Sequence, residues 1–168
     1  METQIHSYAF SKRDACRVTL FGYATKSLPG LEINGLGRYG KTLKEKIIFL
    51  TRVRQLPVPL KRFVISTEYD LEQDPELLRW LDVPVLLLYW YLAGLVPMGR
   101  LDNCLAVGHI SPAGVIVGRK IDRGLVAVAQ AEELLLLGPV GPQEEEVLWI
   151  DARELLAHIP GLRFQATT

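Results

Sequence analysis

Cysteine is nearly absent: Cys16 and Cys104 are the only two in 168 residues. They form no Cys-x-x-Cys pair. That excludes a dithiol redox motif, a zinc knuckle and a disulfide framework, and it suits a reducing compartment. Histidine is as scarce. His6, His109 and His158 lie too far apart for metal-ligand spacing, so no metal site is expected. Charge of one sign is also missing: 19 Lys and Arg balance 19 Asp and Glu. No global field therefore draws the chain to nucleic acid or to an anionic membrane. Long hydrophobic runs are lacking too. The apolar stretch between Pro84 and Pro97 is shorter than the roughly 18–20 residues that a spanning helix needs, so no membrane association is expected. The start, Met1-Glu2-Thr3-Gln4, has neither a basic region nor an apolar core. The expectation is no secretory leader and a cytoplasmic location.

What is present is a globular composition, 49% hydrophobic and 23% charged. The length suits a single domain with a sizeable core. No repeat, low-complexity tract or linker divides it. The reading is one domain over residues 1–161 and a loose tail over 162–168.

The chain is organised around residues 81–117. Leu81-Asp82-Val83-Pro84 reads as a turn with Asp82 as N-cap and Pro84 in the first helical turn. A buried helix is predicted from Val85 to Leu95, stopped by Gly94 and Pro97. A hairpin follows, with strands Leu105–Val107 and Val115–Val117 around the turn Ser111-Pro112-Ala113-Gly114.

Before this centre, strands are predicted at Ile5–Phe10 and Arg17–Ala24, joined by a polar turn at Ser11–Asp14. A short strand, Leu31–Ile33, precedes a helix of about 13 residues from Leu43. Leu43, Ile47 and Leu50 share its inner face, and Lys44, Lys46 and Arg52 point outward. Arg62–Ser66 is a fourth strand, and residues 68–79 form a loop with a short helix. After the centre come a helix, Arg123–Glu133, and the run Leu134–Leu137, which reads as a strand buried on both faces. A turn at Gly141-Pro142, a strand Val147–Ile150 and a helix Ala152–Ile159 capped by Asp151 close the chain. Irregular alternation of strands and helices favours a layered α+β or α/β domain.

One motif is sharp. Gly35-Leu36-Gly37-Arg38-Tyr39-Gly40-Lys41-Thr42 matches G-x-x-x-x-G-K-[ST], with a strand before it and a helix after it. In a nucleotide site the backbone N–H groups would cradle phosphates, Lys41 would neutralise them and Thr42 would ligate Mg²⁺. Asp151, ending an apolar strand, would be the second Mg²⁺ ligand, and the cofactor would be Mg-ATP. The other reading is a glycine turn that starts a helix and carries a solvated lysine, with no cofactor.

Charge is segregated along the chain. Arg38, Lys41, Lys44, Lys46, Arg52, Arg54, Lys61 and Arg62 face only Glu45 over residues 38–62, and residues 68–76 carry acids and no base. Such a strip is either a solvated face or a contact for DNA or an acidic partner. No aromatic platform interleaves with it, so stacking on single strands is weak.

Several segments taken in order resemble the N-terminal domain of the ComM/YifB family of Mg-chelatase-like AAA+ ATPases, whose member ComM is linked to DNA uptake and branch migration. They are Ser7-Tyr8, Ser27-Leu28-Pro29-Gly30, Ile33-Asn34-Gly35-Leu36 and Lys44-Glu45-Lys46. Leu81 to Leu88 looks like that family's Phe-Asp-Leu-Pro-Ile-Ala-Leu-Gly, and Val107 to Gly114 like its Leu-Gly-Glu-Leu-Ser-Leu-Asp-Gly. Gln73 to Trp80 departs from the family's Lys-Glu-Gly-Ser, and Gly37-Arg38 from its Pro-Asp.

The resemblance implies an α+β fold shared with the Lon protease domain and the GHMP kinases, including a left-handed βαβ crossover. It also implies that Lys41-Thr42 opens a helix that binds no nucleotide. The function it implies is a non-catalytic interaction or regulatory module, with a separate AAA+ ATPase or another copy of itself as partner in DNA processing. A Lon-type Ser/Lys dyad needs a serine at the start of the central helix. Asp82 stands there instead. Arg123 lies near the expected lysine and stays protonated, and Lys120 has no nucleophile to activate.

Overall fold

The computed structural model describes residues 2–9, 16–71, 74–138 and 148–166. The predicted turns at Ser11–Asp14 and Gly141-Pro142 lie outside these residues, as do the ends of two predicted strands at Phe10 and Val147.

The fold is α+β. Seven strands form a mixed sheet: β1 (Glu2–Ala9), β2 (Cys16–Thr25), β3 (Gly30–Asn34), β4 (Arg62–Thr67), β5 (Cys104–Ala106), β8 (Leu135–Gly138) and β9 (Trp149–Asp151). Their order is β3-β4-β2-β1-β5-β8-β9. The β1-β2 and β2-β4 pairs are antiparallel, and the other pairs are parallel. A second sheet has the order β10-β7-β6, from β6 (Gly108–Ile110), β7 (Val115–Gly118) and β10 (Arg163–Ala166).

The central helix α3 (Asp82–Leu92) is buried from Asp82 to Trp90. It carries no polar stripe because it has no solvent side. It begins earlier than predicted because the 3₁₀ turn Arg79–Leu81 runs straight into it. Gly94, at φ +81°, ends it.

Alternation along the strands assigns the two faces of the large sheet. Ile5, Ala9, Cys104, Ala106 and Leu137 pack with α3. Tyr8, Leu105 and Leu136 point the other way, onto Leu125, Val126 and Ala129 of α4 (Arg123–Ala131). The apolar run at residues 134–137 is thus covered on both faces, as predicted. The far half of the sheet is covered on one face only. Val18 and Leu20 of β2 are buried, whereas Phe21 and Tyr23 are exposed.

α1 (Tyr39–Val53) packs beside α3 through Leu43, Ile47 and Leu50. It starts four residues before the predicted Leu43, inside the glycine motif. α2 (Pro75–Leu78) is the short helix expected after the acidic loop, and the Asp74 side chain caps it. α5 (Ala152–Leu155) is capped by Asp151, as predicted, but stops sooner than Ile159.

Two predictions are corrected here. Leu105–Val107 does not pair with Val115–Val117. Leu105 belongs to β5 in the large sheet, and the hairpin is made by the next three residues, Gly108–Ile110. The tail is not loose, because Arg163–Ala166 pairs in parallel with Val115–Gly118.

Candidate functional site

Asp82 is the polar centre of the molecule. It is 0% exposed in an otherwise apolar helix. It does not cap α3, contrary to the sequence reading: Leu81 is the N-cap and makes no side-chain bond. The carboxylate instead ties three elements together. Tyr39 at the start of α1 donates its hydroxyl to Oδ1. Lys46 Nζ, two turns further along α1, donates to Oδ2 at 3.1 Å. The backbone N–H of Ile110 in β6 donates to the same oxygen at 3.0 Å. Lys46 also reaches the Tyr39 hydroxyl at 3.2 Å.

Burial sets the electrostatics. It pushes the Asp82 carboxyl up to about 6, against the opposing pull of the Ile110 N–H, the Lys46 charge and the Tyr39 hydroxyl. Burial and the facing Asp82 carboxylate raise the Tyr39 phenol. Next to Ile110, His109 meets Trp80 edge-on at 4.9 Å. Burial, Arg79 and Lys46 hold its imidazole below the ordinary value. Trp80 also lies under the guanidinium groups of Arg79 and Arg119, at 5.2 and 5.0 Å.

The arrangement holds α1, α3 and β6 together through one carboxylate. Among the described residues no serine, threonine or cysteine bonds Asp82 or Lys46. The carboxyl keeps its proton up to about pH 6 in the folded chain, but only to about 3.9 in the unfolded chain. Its contribution to stability is full below about pH 4 and is lost as pH rises through 6, a change on the order of 3 kcal/mol. The stability difference between wild type and Asp82→Asn should therefore shift towards wild type by about that amount between pH 7 and pH 4. Urea denaturation of both proteins at the two pH values measures it, and an unchanged difference would contradict the raised carboxyl.

The other candidate residues lie at the β3 edge of the sheet. Gly35 follows β3 with φ +96°, and a Cβ there would sit 1.8 Å from Thr67 Oγ1. Glycine is therefore required, and by packing as well as by conformation. Gly40 N–H donates to Gly37 C=O at 3.3 Å, and Leu36 is buried. This is a tight turn, and the helix already begins at Tyr39. Lys41 and Thr42 are exposed on the first turn of α1. Asp151 is not brought to them. It stands on β9, at the opposite edge of the sheet and roughly 29 Å away at 4.8 Å per strand step, and it bonds Arg153. Gly35–Thr42 and Asp151 cannot hold one Mg²⁺ between them.

The basic strip divides. Arg38, Lys41, Arg52, Lys61 and Arg62 are exposed, and Lys44 is half-buried. Lys46 leaves the strip for Asp82, because a buried carboxylate requires a cation. Arg54 also leaves it, with its Nε buried. Two adjoining lobes open between α1 and the β3 edge. One, of about 350 Å³, is lined by Ile48, Leu56, Val58, Phe63 and Tyr89. The other, of about 740 Å³, is lined by Gly37, Gly40, Lys41, Lys44 and Arg62. They share Pro29, Gly30 and Leu31.

Sequence reasoning missed the Tyr39–Lys46–Asp82 cluster. Its signal was a lone carboxylate inside an apolar segment, which demands a partner, and a tyrosine and a lysine seven residues apart on one helix face. Among the described residues no helix is long and apolar enough to cross a membrane. Comparison with protein-family models finds no match for this chain, and comparison with curated protein sequences finds none either.

Proposed function

We propose that this chain is a non-catalytic interaction domain, similar to the N-terminal domain of the ComM/YifB family, that works with an AAA+ ATPase module in DNA processing. One observation carries the reading: exposed apolar side chains and cations gather at one end of the sheet. Leu28 and Leu60 are 84% and 83% exposed. They line two adjoining lobes together with Lys41, Lys44, Arg52, Lys61 and Arg62. Exposed apolar side chains rimmed by charge are the mark of a protein contact. The saturated carboxylate of Asp82 supports the non-catalytic half of the reading. The mixed sheet over a buried central helix is compatible with a Lon-like fold and its left-handed crossover.

The test is titration calorimetry of this chain with the AAA+ module of a ComM/YifB relative, alongside the ATPase rate of that module. Saturable binding that changes the rate is the expected result. Absence of binding, with both proteins folded, would overturn it. Direct DNA binding is the competing outcome. Contact of the strip with roughly five phosphates would lose about 500-fold in affinity between 50 and 200 mM salt. Thermal stabilisation by Mg-ATP that Lys41→Ala abolishes would instead restore the nucleotide reading of the glycine motif.

A further inference from the structure

We propose that the two-lobed groove between α1 and β3 is a peptide-binding site, and that its occupant is an extended acidic segment of the partner with an apolar anchor. The proposal rests on the reading of the chain as an interaction domain and names the contact that domain makes.

The groove is amphipathic along its length. Ile48, Leu56, Val58, Phe63 and Tyr89 line the apolar lobe, which is large enough for one large side chain. Pro29, Gly30 and Leu31 lead from it into the basic lobe. The two lobes together present five cations, Lys41, Lys44, Arg52, Lys61 and Arg62, against one carboxylate, Glu32. Arg62 already pairs with Glu32. Among the described residues the other four make no ion pair. An occupant that brings carboxylates to Lys41 and Lys44 meets a charge the fold leaves uncompensated.

Shape decides between a small molecule and a chain. A small-molecule site buries most of its ligand. This groove is open from end to end, and an exposed leucine stands beside each lobe, Leu60 at the apolar one and Leu28 at the basic one. From Arg52 to Lys41 along α1 is about 16 Å at 1.5 Å per residue. An extended segment of about five residues covers that span. Isolated exposed leucines are ordinary. Two of them flanking one groove with an apolar floor are not scattered.

Selection from a random dodecapeptide phage library against the immobilised wild-type chain tests this. The expected result is enrichment of peptides with Leu, Ile or Phe next to Asp or Glu. A fluorescein-labelled copy of the leading peptide should bind about tenfold more weakly to Lys41→Glu/Lys44→Glu and to Leu60→Asp. Lys41 and Leu60 are exposed, and Lys44 is half-buried and makes no ion pair among the described residues, so the variants should melt close to wild type. Enrichment of peptides without acids, binding that survives both variants, or no enrichment would each overturn the groove. If the AAA+ module still binds while the groove fails, the interaction reading stands alone. If neither binds, both are wrong.

Discussion

Replacing Asp82 with alanine is expected to cost roughly 3–5 kcal/mol of folding stability at pH 7. The substitution removes one acceptor group and strands three donors: the Tyr39 hydroxyl, Lys46 Nζ and the Ile110 N–H. An ammonium left beside an apolar helix is the largest of these penalties, because its desolvation is no longer offset. In a domain of this size the loss corresponds to a fall in melting temperature on the order of 10 °C. Replacing both charges should behave differently. Asp82→Leu with Lys46→Met removes the desolvation cost of the charges along with their attraction, and leaves only the Tyr39 hydroxyl and the Ile110 N–H unpaired. The double variant should therefore be more stable than Asp82→Ala. Thermal and urea denaturation of the set decides the matter. A double variant as unstable as the single one would mean that the cluster fixes the geometry of α1 against α3 beyond what packing supplies.

Trp90→Ala is expected to be as damaging, at about 3–5 kcal/mol. Trp90 is 0% exposed and lies where α1 meets α3. Its indole N–H donates to Thr51 Oγ1 at 3.0 Å, and that hydroxyl donates in turn to the Ile47 carbonyl at 2.7 Å. Truncation opens a cavity and leaves Thr51 without its donor. Trp90→Phe keeps much of the volume and loses the bond, so its cost should be nearer 1–3 kcal/mol. Equal losses for the two variants, read from denaturant midpoints, would show that the hydrogen bond outweighs the volume.

The elements that were legible in the sequence carry their cause locally. The buried helix declares itself through an unbroken apolar run, the both-faced strand through four leucines between Glu133 and Gly138, and α5 through the Asp151 cap. What escaped depends on distant partners. Arg163–Ala166 has a polar, unremarkable pattern and becomes a strand only because β7 offers it an edge. Val107 marks the change from one sheet to the other, which no periodicity over three-residue strands can announce. The Asp82–Lys46 pair spans 36 positions. The glycine motif was legible as a pattern but not as packing. Its residues match a phosphate loop in order, and only the structure shows that Gly35 packs against Thr67 and that α1 already starts at Tyr39.

The place of β1 in the sheet has a consequence for synthesis. One side of β1 is closed by β2, its neighbour in the chain. The other side waits for β5, and the Ser7 hydroxyl meets the Ala106 carbonyl across 99 positions. At roughly 5–20 residues per second, the ribosome delivers that partner about 5–20 s after β1 has emerged. For that interval the nascent chain presents an unpaired strand edge, and near its end the largely apolar α3, whose later partners Cys104, Ala106 and Leu137 are not yet made. Chains stalled before residue 104 should therefore depend on chaperones far more than the finished protein does.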